Sequence, residues 1–245
     1  MSHNTTNPYD FSPALADWYD SVENGTDDIE QIRRLLGKRR GLRILEPFCG
    51  TGRIVIPLAL DGHEMVGLDQ SSVMLSKAKL KSSQLPEDVQ GRITLMQADV
   101  TSGGWPVGFD VVILGGNFFY ELATPQEQEG CVASAAAALK TGGFLYCDSD
   151  HMEGELAEAW RISPETIWCD VPARLWRGRR TSTITDSQGT TTSWEWIQQK
   201  HPVSAWEVRD WIVKHGFRIE KHFGGHEDVP YNDALPRTTF WARKM

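Results

Sequence analysis

Short apolar runs alternate with longer amphipathic stretches along the first part of the chain, and this alternation predicts strands and helices in turn. Residues 42–47 predict a buried strand that is followed at once by a glycine turn and a helix over residues 52–60. Glu64–Asp69 predicts a second strand, and Ser71 and Ser72 can cap the helix after it. Further strands are predicted at residues 92–97, 109–115 and 144–148, and further helices at residues 27–36 and 125–140.

Strands and helices at this spacing imply parallel strands joined by right-handed crossovers. That arrangement is a doubly wound α/β sheet. Gly142 and Gly143 are expected to end the helix over residues 125–140 and to open the strand after it. The last helical pattern covers residues 204–215, where Ser204 and Glu207 have capping-box spacing. The final two strands are predicted at residues 217–223 and 237–242.

The sequence pattern changes between the strand predicted at residues 144–148 and the helix predicted at residues 204–215. Residues 166–200 are rich in Trp, Thr, Ile and Arg, and a turn signal at residues 186–189 separates strand-like runs at 180–185 and 190–199. We interpret this segment as an antiparallel meander inserted into the main domain.

Hydropathy, cysteine spacing and net charge indicate in which compartment the protein acts and which kinds of partner it binds. No apolar run approaches the roughly 18 residues of a membrane span, and the N-terminus lacks a signal-peptide pattern. The four cysteines, Cys49, Cys131, Cys147 and Cys169, contain no C-x-x-C pair, which argues against a zinc site or disulfides and favours the cytoplasm. A net charge of −8 argues against a nucleic-acid partner. Two basic runs, residues 33–43 and 174–180, are interpreted as a solvated helix end and as exposed hairpin positions.

A glycine-rich turn follows the first strand, and two acids lie in register with it. Gly50 and Gly52 let the chain turn sharply and let a ligand approach the backbone. The second strand ends in Asp69, where a carboxylate can bind both hydroxyls of an adenosine ribose. The third strand is followed by Asp99 and Val100, which suit the edge and the face of adenine. Together these positions predict a nucleoside-binding site.

In order and spacing, five segments resemble the successive motifs of the class I S-adenosylmethionine-dependent methyltransferases: residues 44–54 (ILEPFCGTGRI), 66–75, 93–100, 109–122 and 139–148. Residues 206–223 and 238–244 resemble the last helix and the final antiparallel hairpin of that family. The turn Gly50-Thr51-Gly52-Arg53 resembles the branch that acts on small molecules, and Trp18-Tyr19-Asp20 resembles the segment that covers the cofactor in that branch.

The resemblance implies a Rossmann-like sheet of seven strands, mostly parallel with an antiparallel last hairpin, and a meander that covers the substrate. It also implies one domain over residues 1–245. The parts of this domain are an N-terminal arm (1–41), a cofactor-binding core (42–149), the inserted meander (150–202), and a last helix with a C-terminal hairpin (203–245).

The implied cofactor is S-adenosylmethionine, with S-adenosylhomocysteine as its product. Glu46 is expected near the methionine ammonium, and Asp69 is expected to bind the ribose hydroxyls. Asp99 is expected to accept from the adenine amino group while Val100 packs on the ring. The other expected cofactor contacts are Tyr19, Phe48, Gly50, Gly52, Arg53, Gln70, Met74, Gly115, Gly116 and Asn117.

One position departs from the family pattern. Phe48 stands at the first glycine of the acid-x-Gly-x-Gly-x-Gly pattern, so we expect the turn to differ there.

A dinucleotide dehydrogenase is disfavoured because no third glycine follows Gly52 at the spacing of its motif. Glu46 would also repel a pyrophosphate, whereas it suits an ammonium.

Methyl transfer from a sulfonium depends mainly on positioning, and no dedicated base stands out, so the catalytic residues are left open. Asn117, Tyr120 and His151 are the candidates. Residues 117–120 (NFFY) resemble the N-P-P-Y of enzymes that methylate amide or base nitrogens, but both prolines are missing, and we interpret the segment as a pocket wall. His151 is either a base or a hydrogen-bonded surface residue.

Three further groups have both a structural and a functional interpretation. Asp148 and Asp150 could form a metal site with His151, but nothing else supports one. Tyr231 and Arg237 either line the pocket mouth or only pack. Eight of the ten tryptophans lie from Trp160 onward; packing is favoured for most of them over an aromatic lid on a small, cationic amine.

The leading hypothesis is an enzyme that methylates a small molecule at N, O or C, with the meander forming the acceptor site. A nucleic-acid or protein methyltransferase would instead show a continuous basic surface around the pocket. A non-catalytic module that binds the cofactor would have no acceptor cavity beneath the meander. The acceptor, the attacked atom and the oligomeric state, monomer or homodimer, are left open.

Overall fold

The computed structural model describes residues 13–150, 161–185, 189–235 and 237–245. The strands are β1 (Arg43–Pro47), β2 (Glu64–Asp69), β3 (Ile93–Gln97), β4 (Phe109–Leu114), β5 (Leu139–Asp150), β6 (Thr166–Asp170), β7 (Leu175–Thr185), β8 (Thr191–Lys200), β9 (Phe217–Phe223) and β10 (Arg237–Lys244). The helices are α1 (Pro13–Val22), α2 (Asp27–Leu36), α3 (Val55–Leu60), α4 (Ser72–Ser82), α5 (Glu87–Gln90), α6 (Pro125–Ala138) and α7 (Ala205–Lys214).

The main sheet confirms the predicted fold class. Its seven strands lie in the order β3-β2-β1-β4-β5-β10-β9. Strands β1 to β5 pair in parallel, whereas β10 pairs antiparallel with both β5 and β9. The strand order reverses between β1 and β4, and ligands of open α/β sheets bind at the carboxyl ends of the strands at such a point.

Helices cover both faces of this sheet because its strands are apolar on both sides. One buried cluster contains apolar residues of α2, α3 and α4, and a second contains those of α6 and α7. The predicted caps form. The Ser71 hydroxyl accepts from the Met74 N–H at 3.2 Å, and Ser204 and Glu207 make a reciprocal capping box.

The predicted boundary between α6 and β5 is wrong. The helix ends at Ala138, because Leu139 adopts an extended conformation and its side chain is buried. Gly142 and Gly143 therefore lie within β5 rather than at a helix end. They fall in an irregular stretch of the pairing, where Phe109 lies opposite Leu139 and Val111 lies opposite Phe144.

The inserted segment forms the predicted antiparallel meander as a separate sheet in the order β6-β7-β8. It lies between β5 and α7 along the chain. Strand β6 was not predicted as a separate element. Trp176 is opposite Lys200, and Gly178 is opposite Gln198, so these four side-chain positions share one face of the meander.

Candidate cofactor and acceptor site

A cavity of about 690 Å³ lies at the carboxyl ends of the parallel strands, where the strand order reverses. Most of the predicted cofactor residues line it: Tyr19, Glu46, Phe48, Gly50, Arg53, Asp69, Gln70, Met74, Val100, Gly115, Gly116 and Asn117. The cavity extends from these residues to the meander, which contributes Arg180, Gln198 and Lys200.

Gly52 and Asp99 are the two predicted cofactor residues outside the cavity wall. Gly52 lies in the turn with a φ of 82°. The exposed Asp99 carboxylate accepts from the Thr101 N–H at 2.9 Å and from the Ser102 hydroxyl at 2.9 Å. The carboxylate also accepts from the Thr101 hydroxyl at 2.6 Å, and this bond first, with the others, lowers the pKa of Asp99. A contact of Asp99 with adenine stays a prediction.

Glu46 is a buried carboxylate on the cavity wall, near the end of β1. Only 5% of the residue is exposed, and its Oε2 atom has no hydrogen-bond partner. Burial raises the pKa of Glu46 well above its usual range, and the positive charge of Arg53 opposes this rise. A buried acceptor without a donor is costly, so this site is complementary to a ligand that brings a cationic N–H.

Arg53 is held on the cavity wall by a charged partner that sequence reasoning missed. Its Nη1 and Nη2 atoms donate to the two carboxylate oxygens of Asp28 at 2.8 and 2.6 Å, and Nη1 also donates to the Gly25 carbonyl. Burial lowers the pKa of Arg53, but the hydrogen bond and the charge of Asp28 outweigh it and raise the pKa. In the sequence, Asp28 looks like an ordinary acid in the first turn of α2.

Asp69 ends β2 with its carboxylate held by backbone donors. Oδ2 accepts from the Gly50 N–H and Oδ1 from the Ser71 N–H, both at 2.8 Å. These two bonds fix the orientation of the carboxylate and tie the glycine turn to the next strand. A carboxylate offers about four lone-pair sites, so further donors can still bind.

Phe48 takes the place of a glycine, and its backbone adopts a glycine-like conformation. Its φ is 65°, in the left-handed region that costs an ordinary residue about 1–2 kcal/mol. Its ring lies 5.2 Å from the Phe118 ring between centroids, and both residues line the cavity. The phenyl ring therefore contributes packing and cavity wall where a glycine would leave space.

Asp148, near the end of β5, organises the other side of the cavity. This fully buried carboxylate accepts from the Asn117 N–H at 3.0 Å, and His226 Nε2 and Arg237 Nη1 lie 3.1 and 3.6 Å from it. Burial would raise the pKa of Asp148, but the hydrogen bond with His226, the charge of Arg237 and the Asn117 N–H together lower it. The structure thus brings His226 and Arg237 to the cavity wall.

Tyr120, His151 and Tyr231 are the remaining candidate residues from the sequence. Tyr120 belongs to a short 3₁₀ helix, Phe118–Glu121, directly after Asn117. His151 lies outside the described residues, and Tyr231 stacks on His222 at 4.1 Å rather than lining the cavity. Within the described part of the chain, no three His, Cys, Asp or Glu side chains are grouped so that they could hold a metal ion.

Helix α1 covers the cofactor side of the cavity through Tyr19. Asp20 in this helix accepts from the Thr51 hydroxyl in the glycine turn and from Lys81 Nζ at 2.9 Å. Lys77 also pairs with Asp17 at 2.5 Å. These contacts fasten the arm over the turn and α4.

The meander closes the side of the cavity opposite helix α1. The interpretation of its basic run as exposed hairpin positions is wrong for Arg180. Arg177 and Arg179 are exposed, as expected for hairpin positions, but Arg180 is half-buried and lines the cavity. Arg180 shares the inward face with Trp176, and its side chain contacts Gln198 at 3.2 Å. No tryptophan within residues 13–150, 161–185, 189–235 and 237–245 lines the cavity, and Trp176 is buried, with 2% of the residue exposed.

Comparison with known proteins agrees with this geometry. Residues 44–143 match the family described as the methyltransferase domain. A protein of Geobacillus sp. (strain WCH70) that is named as a methyltransferase is 23% identical over 247 residues, covering 94% of this chain and 98% of the relative. The glycine/sarcosine N-methyltransferase of Halorhodospira halochloris is 27% identical over 158 residues, which is 63% of this chain and 56% of that enzyme.

A shorter match and a solved structure complete the comparison. The 23S rRNA (uracil(1939)-C(5))-methyltransferase of Nitrosospira multiformis is 32% identical over 72 residues, or 29% of this chain and 16% of that protein. The CcbJ methyltransferase of Streptomyces caelestis has the same fold, with a TM-score of 0.71, 18% identity, and coverage of 96% of this chain and 97% of that one.

Fold, cavity and family match together define a Rossmann-like class I methyltransferase. The chain is an S-adenosylmethionine-dependent methyltransferase, as the sequence predicted. No helix in the described ranges combines the length and apolar character that a membrane crossing requires.

Proposed function

We propose that this enzyme transfers the methyl group of S-adenosylmethionine to a small-molecule acceptor bound between the glycine turn and the meander. The observation that carries the proposal is the single cavity that joins both groups of residues. Its walls include Glu46 and Asp69 on one side and Arg180, Gln198 and Lys200 of the meander on the other. A module that only bound the cofactor would not need the second side.

The residues of the first side fit the cofactor by their chemistry. Glu46 presents a buried oxygen without a donor, which suits the methionine ammonium. Asp69 holds an oriented carboxylate for the ribose hydroxyls, and Met74 and Val100 supply apolar surface for the adenine ring. Arg53, fixed by Asp28, lies where it can attract the methionine carboxylate.

Bound S-adenosylmethionine supplies an activated methyl group on a sulfonium. The residues of the chain then have to bind and orient the acceptor in line with that methyl and exclude water. Asn117 and Gly116, directly after β4, border the expected position of the methyl group. Asp148 holds the Asn117 backbone in its left-handed conformation, with a φ of 61°, through the Asn117 N–H.

An acceptor of small size is supported by how the cavity is covered. Tyr19 of α1 and Lys200 of β8 approach it from two sides. The glycine/sarcosine N-methyltransferase of Halorhodospira halochloris acts, by its name, on small amino acids, which agrees with such a site. The net charge of −8 does not favour an RNA backbone.

The test begins with calorimetry of S-adenosylmethionine on the native chain, on Asp69→Ala, and on Asp88→Ala as an exposed control. We expect binding by the native chain and the control, and a large loss for Asp69→Ala. Release of S-adenosylhomocysteine is then measured with a metabolite mixture and with total RNA. Turnover with RNA alone would refute the small-molecule acceptor, and unchanged binding by Asp69→Ala would refute the ribose contact.

A further inference from the structure

His226 is a histidine of the cavity wall, in the loop between β9 and β10. Its Nε2 atom lies 3.1 Å from Asp148 Oδ2, and the other oxygen of that carboxylate, Oδ1, accepts from the Asn117 N–H at 3.0 Å. One buried carboxylate therefore joins the histidine to Asn117, which borders the expected position of the methyl group. Within the described part of the chain, no other histidine lines the cavity.

The contact with Asp148 favours one position for the proton of a neutral His226 ring. Burial by itself would raise the pKa of Asp148, but the hydrogen bond with His226 and the charge of Arg237 lower it, so this group is a carboxylate at neutral pH. A bare Nε2 would face the carboxylate lone pair to lone pair, so the proton belongs on Nε2. Nδ1 then keeps its lone pair. It has no hydrogen-bond partner among the described residues, and 16% of the side chain is exposed, so a ligand can reach the ring.

Arg237 balances the charge of this group. Its Nη1 atom lies 3.6 Å from Asp148 Oδ2 and 3.2 Å from His226 Nε2. Tyr146 donates to the same Oδ2 atom at 3.4 Å, and burial raises the pKa of Tyr146 well above its usual range, so it stays neutral. A carboxylate, a guanidinium and a neutral imidazole together carry no net charge. The ring therefore does not have to be protonated to neutralise Asp148, and a histidine acts as a base only in its neutral form.

Helix α2 holds the loop that carries His226. Arg34 Nη2 donates to the His226 carbonyl oxygen, and Arg34 Nε donates to Asp228 Oδ2 at 2.8 Å. The fully buried Gln31 donates from Nε2 to the Gly225 carbonyl at 2.9 Å and to Asp228 Oδ1 at 3.0 Å. These bonds fix the chain on both sides of His226. The ring is thus positioned before any acceptor binds, as a group that reacts with the acceptor needs to be.

We propose that His226 is the catalytic base of the methyl transfer and takes a proton from the nucleophilic atom of the acceptor through Nδ1. This inference rests on the proposed function, because it concerns an acceptor in that same cavity. The nucleophile bonds to the methyl carbon as the bond from sulfur to methyl breaks, and the electron pair of that bond goes to sulfur, which gives S-adenosylhomocysteine. The proton of the nucleophile goes to Nδ1, and the imidazolium keeps its Nε2–H bond to Asp148. The acceptor is then one whose nucleophile arrives with a proton to lose, a hydroxyl or an ammonium group.

The first measurement determines the state of the ring without any acceptor. Long-range ¹H–¹⁵N correlation spectra of the full chain with ¹⁵N-labelled histidine, saturated with S-adenosylhomocysteine at neutral pH, report which ring nitrogens carry a proton. The signals of His226 are identified by their loss in His226→Gln or His226→Asn. We expect a proton on Nε2 and a bare Nδ1. A proton on Nδ1, which would follow if Nε2 accepted from Arg237, or a ring protonated at both nitrogens, would overturn the proposal.

The second measurement is the rate of S-adenosylhomocysteine release with the metabolite mixture. His226→Gln keeps an amide N–H that can donate to Asp148 but has no basic nitrogen. The matched control is His215→Gln, because His215 also pairs with a carboxylate, that of Glu129 at 3.0 Å, and does not line the cavity. We expect His226→Gln to be about 100-fold slower or more at neutral pH. Its affinity for S-adenosylmethionine by calorimetry, and the rate of the control, should stay close to the native values.

The pH dependence of the rate, followed between about pH 5 and 9, separates a base from a residue that only positions its neighbours. The native rate should rise with pH and level off once the base is deprotonated, whereas the His226→Gln rate should keep rising because solvent has to remove the proton. A variant that binds S-adenosylmethionine and turns over like the native chain contradicts the inference, and so does a slower variant with the native pH profile. A native chain that binds S-adenosylmethionine without turning over the mixture contradicts the proposed function, and the ring-proton measurement then decides on His226 alone.

Discussion

Replacing Glu46 by glutamine tests whether the buried carboxylate serves the cofactor or the fold. The two residues have nearly the same shape, so the change mainly removes a negative charge from the cavity wall. In the protein without ligand, this carboxyl group is buried and its Oε2 atom has no partner, so its negative charge is disfavoured there. We therefore expect affinity and stability to change in opposite directions.

The affinity of the Glu46→Gln variant for S-adenosylhomocysteine should fall. If Glu46 binds the methionine ammonium, the glutamine variant loses a charge-assisted hydrogen bond worth about 1.5–3 kcal/mol. That loss corresponds to a dissociation constant for S-adenosylhomocysteine that is about 10-fold to 150-fold larger. Arg53 carries a positive charge near the same site and opposes ammonium binding once Glu46 is neutral, which places the expected value toward the upper end.

The stability of the ligand-free protein should rise. The folded-state pKa of Glu46 is raised, so the folded protein holds a proton there that the unfolded chain releases above about pH 4.3. The native protein thus loses stability as the pH rises from that value through the folded-state pKa. The glutamine variant has no such loss, and its melting temperature should exceed that of the native protein at neutral pH.

Two measurements on the same samples check this reasoning, namely titration calorimetry with S-adenosylhomocysteine and thermal unfolding without ligand between pH 4.5 and 7.5. Glu64→Gln, an exposed glutamate on the neighbouring strand, is the control and should change neither. A Glu46→Gln variant that is less stable at neutral pH and binds with unchanged affinity would refute both the unpaired state and the cofactor role.

Three other predictions concern the turn, the meander and the Asp148 network. Phe48→Ala should be about 1 kcal/mol less stable than Phe48→Gly, because only glycine accepts a φ of 65° without strain; urea unfolding that ranks alanine higher would contradict the strain. Gly178→Ala should cost about 1–3 kcal/mol by overpacking against Trp176, whereas Gly130→Ala in α6, where the added methyl meets open space, should be neutral or stabilising. Asp148→Asn should lower the melting temperature at neutral pH, and because the pKa of Asp148 is lowered, the difference should shrink as the pH falls through its folded-state value; a difference independent of pH would exclude an ionised Asp148.

The parts of the site that could be predicted are those set by local sequence. The glycine turn, the acid that ends β2 and the Ser71 cap depend on residues close in sequence, and the structure has them where they were expected. The family resemblance added Tyr19 of the arm, whose position depends on Asp20 contacting Thr51 and Lys81, far along the chain.

The parts that could not be predicted depend on pairing between distant segments. Asp28 becomes a site residue only because the buried Arg53, 25 residues later, reaches it, and His226 only because its loop approaches β5. Arg180 is a different case, since a signal was available. Strand alternation from an inward Trp176 places Arg177 and Arg179 outward and Arg180 inward.

Glu46 and Asp148 lie at similar positions on two strands but serve different purposes. Both are buried carboxylates near the carboxyl ends of parallel strands, and burial by itself would raise the pKa of each. Among the described residues, Asp148 has four protein partners, Asn117, Tyr146, His226 and Arg237, and its pKa is lowered, so its charge is satisfied without a ligand. The Oε2 atom of Glu46 has no partner, and the pKa of Glu46 stays raised. Since unsatisfied buried acceptors are costly, the chain tolerates one where a cationic ligand can complete it, and the satisfied carboxylate stabilises the wall on the acceptor side.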